Sequence, residues 1–205
     1  MNNVWDNVYQ KNASFFGAEP SNFASTSYKK MKENNVKEIL ELGCGQGRDS
    51  LFFASKQIMV KTLDYSKVAI EDLTKQAMNK GLPMKSIVFD ARSGIPLHDS
   101  QFDAVYSHMF FNMHFAKSEL RFLFGEVKRV LKPNGMHFFS VRSDKDSRCG
   151  KGKQIADGIY DINGFQIRFF TKKDIEDLLS GFKIEEISEG FEEPSSLYLV
   201  TARRI

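Results

Sequence analysis

The feature that most constrains this chain is an apolar run ending in closely spaced glycines: Val36-Lys-Glu-Ile-Leu-Glu-Leu-Gly-Cys-Gly-Gln-Gly-Arg48, with glycine at 43, 45 and 47. A β-rich segment that passes at once through glycines into a helical pattern is the strand-to-helix junction of an open α/β sheet. Glycine there permits positive φ and lets the main chain approach a ligand with no Cβ between, while the helix start offers unpaired N–H donors. The spacing excludes two common loops of this kind. A dinucleotide loop reads G-x-G-x-x-G, its last glycine drawing helix against strand, and here that place is Arg48. A P-loop needs Gly-Lys-Ser or Gly-Lys-Thr, and neither follows.

The rest of the chain alternates short β-rich runs with amphipathic stretches, as expected of a parallel sheet covered by helices on both faces. Strands are expected at Val36–Leu42, Ile58–Leu63, Lys85–Phe89, Phe102–Ser107, Gly135–Val141, Lys183–Ser188 and Leu197–Arg203, and helices at Arg48–Lys56, Ser66–Lys80, Lys117–Leu131 and Thr171–Leu179. Ser66 is placed to cap the second helix and Gly81-Leu-Pro83 to stop it. Ser118 is read as opening the third helix, and Thr171 with Asp174 has capping-box spacing. Two segments stand outside the alternation: 1–34, read as a cap carrying Trp5, Tyr9, Phe15, Phe16 and Phe23, and 143–170, read as an irregular insertion.

A chain of 205 residues, 41% hydrophobic and 27% charged, fits one domain spanning 1–205. With only Cys44 and Cys149, neither a disulfide framework nor a thiolate metal site is expected. A net charge of +3 with interspersed signs argues against nucleic acid as partner, and the basic stretch Arg142–Lys153 reads as a solvated loop ahead of an anion-facing one. No signal-peptide pattern or membrane-length apolar run is seen, so a cytoplasmic location is expected. The sequence leaves oligomeric state open.

Asp64 ends the second strand about 20 residues beyond the glycines, where nucleotide-binding folds place an acid for ribose hydroxyls. Together with E-L-G-C-G-Q-G at 41–47, L-D-Y-S at 63–66, D-A at 90–91, F-D-A-V-Y-S at 102–107 and L-K-P-N-G at 131–135, it resembles class I S-adenosylmethionine-dependent methyltransferases. Within that family the chain looks most like small-molecule methyltransferases, including the tellurite-resistance type, through Trp5-Asp-Asn-Val-Tyr9 and Gly43–Ser50.

The resemblance implies a Rossmann-like three-layer αβα sandwich with a mainly parallel, seven-stranded sheet. It implies S-adenosylmethionine as cofactor, no metal, and a small-molecule methyl acceptor. The implied cofactor site is Glu41, Gly43, Gly45, Gly47, Asp64, Tyr65, Asp90, Ala91 and Ser107, covered by Trp5 and Tyr9, with Asp90-Ala91 toward adenine. His108 and His114 are the candidate general bases, since histidine titrates in the useful range. An acceptor already nucleophilic needs no base, so the catalytic group stays open. Arg142 with Ser143 offers a contact for an anionic group on the acceptor. The alternatives are RNA or protein methylation and a non-catalytic cofactor-binding regulatory module.

Overall fold

The computed structural model describes residues 4–205. Helices α1 (Val4–Lys11) and α2 (Asn22–Glu33) precede β1 (Glu38–Leu42), and then α3 (Arg48–Ser55), β2 (Met59–Asp64), α4 (Lys67–Asn79) and β3 (Met84–Val88) follow. The chain continues through β4 (Phe102–His108), α5 (Lys117–Val130) and β5 (Leu131–Arg142). After β6 (Lys153–Ala156), β7 (Ile159–Ile162) and β8 (Phe165–Arg168) it closes with α6 (Lys172–Leu178), β9 (Phe182–Glu192) and β10 (Ser195–Arg204).

The main sheet has seven strands in the order β3-β2-β1-β4-β5-β10-β9. Neighbours from β3 to β5 pair in parallel, and β10 is antiparallel to both β5 and β9. Strand order reverses between β1 and β4, and this switch point is where an open α/β sheet receives ligand. The glycines leave β1 at that point. Central-strand residues Ile39, Leu40, Ala104, Val105, Tyr106 and Phe138 are fully buried, because helices cover both faces. One face packs on Leu123, Phe124 and Val127 of α5 and Ile175 of α6, the other on Phe23 and Met31 of α2 and Phe53 of α3.

Ser66 caps α4 as expected, its Oγ accepting the Ala69 N–H at 3.2 Å, and Thr171 with Asp174 forms its reciprocal pair at 3.1 and 2.9 Å. Other boundaries move. Helix α5 is entered through Ala116, whose N–H donates to Glu119 at 2.6 Å, so Ser118 is not the cap. β5 begins at Leu131, taking the Lys132-Pro-Asn-Gly135 turn into its own span, and β3 ends at Val88, short of Asp90.

The segment 143–170 is not irregular throughout, because β6, β7 and β8 form a second, antiparallel sheet inside it. Every residue of Lys153–Ala156 is exposed, so no apolar alternation announces the first of these strands, while Ile159, Ile167 and Arg168 on its partners are buried. This small sheet docks on the turn after β4: Arg168 donates to the Phe115 carbonyl at 2.9 Å and His114 Nδ1 meets Gln166 Oε1 at 2.5 Å. Among the described residues no helix is long and apolar enough to cross a membrane.

Candidate active site

All three loop glycines have positive φ, at 68°, 51° and 83°. Each also lies against something that a Cβ would strike. A Cβ on Gly43 would stand 2.4 Å from the Phe110 ring, on Gly45 2.8 Å from the Tyr9 hydroxyl, and on Gly47 2.2 Å from Leu73 Cδ1. Gly47 therefore brings α3 and the loop against α4, the packing task that the dinucleotide pattern gives to a glycine one residue later. Gly43 and Gly45 instead leave room for rings, from the turn after β4 and from α1.

Asp64 joins loop to helix. One carboxylate oxygen accepts the Gly45 N–H and the other the Ser66 N–H, both at 2.8 Å. The Ser66 hydroxyl, which caps α4, donates in turn to Asp6 of α1 at 2.5 Å. Glu41, Asp49 and Asp64 are 3%, 3% and 9% exposed, so carboxylates ring the loop from below. Burial, and then the neighbouring charge of Asp49, pushes Glu41 well above the ordinary carboxylate range, against a hydrogen bond from the Ser50 hydroxyl. Burial raises Asp64 as well, although its backbone donors oppose the shift. Asp49 accepts from Ser21 N–H at 2.7 Å, Ser21 Oγ at 2.8 Å and Tyr106 Oη at 2.7 Å. These donors are neutral, and the guanidinium of Arg48 lies 3.9 Å from the same carboxylate.

Tyr65 lies among Asp64, Asp6 and Asp90, and burial together with those charges pushes its phenol up to about 12. Asp90 begins a short turn through Ala91, and its carboxylate pairs with Arg92 at 2.7–3.1 Å. That pair is exposed, at 46% and 43%. Ser107, near the end of β4, is fully buried and its hydroxyl has no partner.

Above the loop, Tyr9 is buried and Trp5 stacks on it with ring centroids 5.5 Å apart. Trp5 also meets Phe15, Phe16 and, across the cleft, Phe165 of the small sheet at 6.2, 6.0 and 5.8 Å. The two segments outside the α/β alternation thus meet in one aromatic roof. A cavity of about 480 Å³ opens beside the loop, lined by Gln46 and Arg48 with residues of 13–20 and α4, but neither Asp64, Asp90 nor Ser107 lines it. The rings of Tyr9 and Phe110 fill the space directly over Gly45 and Gly43.

On the β4–β5 side, His108 uses both ring nitrogens on the protein. Nδ1 meets Ser140 Oγ at 2.7 Å and Nε2 meets Glu192 Oε2 at 2.9 Å, with Phe23 stacked on the ring at 5.9 Å. Burial alone would raise Glu192, yet the hydrogen bond from His108 and the Arg48 guanidinium at 2.5 Å hold it down at about 2. Such a histidine ties β4, β5 and the β9–β10 hairpin together and has no nitrogen left for an acceptor's proton. His114, exposed and paired with Gln166, anchors the small sheet.

A family model described as a methyltransferase domain matches residues 39–135, the stretch from β1 through the start of β5. A putative methyltransferase of Bacillus subtilis (strain 168), YqeM, is 31% identical over 140 residues, covering 66% of this chain and 56% of the relative. A solved S-adenosylmethionine-dependent methyltransferase from Methanosarcina mazei superposes with a TM-score of 0.74 at 25% identity, over 82% of this chain and 92% of that one. Residues 39–135 thus carry a methyltransferase domain, and the fold around them is that of the class I S-adenosylmethionine-dependent methyltransferases.

The same fold appears in TehB of Haemophilus influenzae, with TM-score 0.68, 16% identity and coverage of 88% and 62%. It appears also in the 1,6-didemethyltoxoflavin-N1-methyltransferase of Burkholderia thailandensis, solved with 1,6-didemethyltoxoflavin and S-adenosylhomocysteine, with TM-score 0.76, 16% identity and coverage of 97% and 84%. Within this methyltransferase domain the fold brings Glu41, the glycines, Asp64, Tyr65 and Tyr9 to one loop. Phe110, Asp49 and Glu192 join them without having been singled out in the sequence. Phe110 sits in an apolar run that reads equally as core, and Glu192 lies 84 residues from the histidine it meets.

Proposed function

We propose that this chain transfers the activated methyl group of S-adenosylmethionine to a small-molecule acceptor. The observation that carries the reading is the buried carboxylate ring around a positive-φ loop, with Asp64 held between Gly45 and Ser66. The residues present fit that cofactor. The Asp64 carboxylate has acceptor capacity beyond its backbone donors Gly45, Ser66 and Tyr65, enough to accept from a ribose hydroxyl. Glu41 and Asp49 favour a ligand with positive charge, such as a sulfonium with an α-ammonium group, and the unpartnered Ser107 hydroxyl stands at the end of the neighbouring strand. Asp90, in an exposed ion pair, remains open on its outer edge to an adenine amino group, with Tyr65 alongside.

The bound cofactor supplies an electrophilic methyl group, so displacement needs an in-line nucleophile and no metal. The chain contributes binding, orientation and exclusion of water. The carboxylate ring and loop hold the donor, while Tyr9, Trp5 and Phe110 cover it, their rings suited to a neighbouring cation. With His108 engaged at both nitrogens, a base is not built into the strand end, which supports an acceptor already nucleophilic at working pH. The roof between Trp5 and Phe165 supports a small acceptor rather than a polymer.

Calorimetry with S-adenosylmethionine and S-adenosylhomocysteine tests the cofactor; absence of binding by either would overturn the reading. Release of S-adenosylhomocysteine over a panel of nucleophilic small molecules tests the transfer. Cofactor binding with no turnover on any of them would favour a regulatory module.

A further inference from the structure

At the end of β5 the structure leaves a largely buried cation whose counter-ion, Asp146, is shared with a second arginine. The Arg142 side chain is 16% exposed and its Nη1 is out of contact with water and makes no hydrogen bond. Its nearest carboxylate oxygen, Asp146 Oδ2, lies 3.8 Å away, beyond hydrogen-bond reach. That carboxylate is already spent. Oδ1 accepts Arg148 N–H and Nε–H, both at 2.9 Å, and Oδ2 accepts Arg148 Nη2 at 2.8 Å and Ser196 N–H at 3.1 Å. Two guanidinium groups therefore share one carboxylate, and the surplus positive charge rests on Arg142. Burial, reinforced by the charge of Arg148, pushes Arg142 down to about 10.

A second donor is in the same condition. Asn112, in the turn after β4, is fully buried; its Oδ1 accepts the Arg142 backbone N–H at 2.7 Å, and its Nδ2 has no partner. Two residues earlier in that turn, Phe110 covers Gly43. The unsatisfied donors thus belong to the strand ends beside the glycine loop, on the side away from Asp64. Buried polar groups without partners are rare and costly, so two such donors, on residues joined through the Arg142 backbone N–H, call for an acceptor that the chain itself does not supply.

We propose that Arg142 and Asn112 receive a carboxylate carried by the methyl acceptor, and so make this a methyltransferase for small monoanionic acids. This rests on the methyl-transfer reading and names the substrate class for it. A carboxylate offers two oxygens as acceptors and one negative charge to the surplus that Arg142 and Arg148 leave over Asp146; a phosphate dianion would exceed that charge. Arg142 and Asn112 bind the acceptor's handle and leave the reacting atom to the geometry of the cleft.

The test uses the full chain saturated with S-adenosylhomocysteine, following the arginine Nε–H resonance of Arg142 by NMR during addition of sodium benzoate, benzamide, sodium phosphate or sodium chloride. Benzoate is expected to give a saturable shift. Benzamide, of the same shape without charge, should bind roughly 10- to 100-fold more weakly, and R142Q should weaken benzoate by a similar factor with S-adenosylhomocysteine affinity unchanged. A benzoate shift no larger than that of chloride, benzamide equal to benzoate, phosphate tighter than benzoate, or R142Q without effect would each overturn the proposal. The unfolding midpoint of R142Q supplies a second readout. A largely buried cation that shares its counter-ion adds little stability, and Asp146 keeps Arg148 in the variant, so the midpoint should hold or rise, and a fall would assign Arg142 a structural role and overturn the proposal. Failure of the wild-type chain to bind S-adenosylhomocysteine would instead strike the methyl-transfer reading, and is seen separately in the calorimetry.

Discussion

At the ends of β1 and β2 the buried polar side chains are acceptors, Glu41 and Asp64 with Asp49 behind them, whereas beyond β4 and at the end of β5 two donor atoms, Asn112 Nδ2 and Arg142 Nη1, make no hydrogen bond. The first group is held by neutral donors such as Ser50 and the loop amides, and burial raises both Glu41 and Asp64. The second faces a carboxylate that Arg148 has already satisfied. Both are costly arrangements in a folded chain, and each loses its cost when a ligand of opposite sign arrives. A cleft polarised in this way suits two reagents, a cationic donor at one end and an anionic acceptor at the other. Between them His108, bonded to both Ser140 and Glu192, ties β4 to β5 and β9.

The hardest strike against the negative half is Asp64→Ala. It removes the acceptor for Gly45 and Ser66 as well as that for ribose, and is expected to lower S-adenosylhomocysteine affinity by about 100-fold in calorimetry. Benzoate binding at Arg142 should survive, and near-wild-type cofactor affinity would sink the role given to Asp64. Beneath the same half, Gly47→Ala places a Cβ 2.2 Å from Leu73 at φ 83°, and should cost about 2–3 kcal/mol in urea denaturation. Adding Leu73→Ala should leave only the backbone part of the Gly47→Ala loss, with a cavity cost of its own; if the two losses simply add, the loop and α4 do not press on each other as described.

Under the positive half, His137 of β5 is fully buried among Phe111, Phe124, Phe139 and Phe182 with neither ring nitrogen partnered, the reverse of His108. Burial pushes it down to about 3. The unfolded chain can bind a proton there that the native chain refuses, so native stability falls as pH drops from about 6.5 toward 3. His137→Leu should gain about 1 kcal/mol at pH 7 and flatten that part of the pH profile. A loss of stability in the variant would mean that the imidazole has a partner not described above.

The smallest effect is a fraction of a proton. Glu41 is raised in the free protein, so a cationic ligand beside it should ionise it and expel a proton. Affinity for S-adenosylmethionine should therefore rise with pH from the ordinary carboxylate range upward. Calorimetry in buffers of different ionisation enthalpy measures the release, which should be smaller for S-adenosylhomocysteine, lacking the sulfonium, and absent in Glu41→Gln.

Much of the negative half is legible in the chain because its parts are local. The loop glycines, Asp64 and the Ser66 cap lie within one strand-helix-strand unit, where spacing carries the geometry. The small sheet of β6–β8 was not legible, since its first strand is wholly exposed and its pairing is the only thing that makes it a strand. Nor was the state of the two histidines. Both look alike in sequence, yet one is saturated by residues 32 and 84 positions away and the other is sealed among phenylalanines.

By itself the sequence determined the alternation of strands and helices, the positive-φ loop and the acid at the end of β2, because short-range sterics, hydrogen bonding and apolar periodicity set these. Only the tertiary structure decided which charges are left over. How much of a counter-ion Arg142 has depends on Arg148 sharing Asp146, and whether the loop has a roof depends on Trp5 meeting Phe165 across the cleft. Surplus charge is a property of the whole packed neighbourhood, summed over segments distant in the chain.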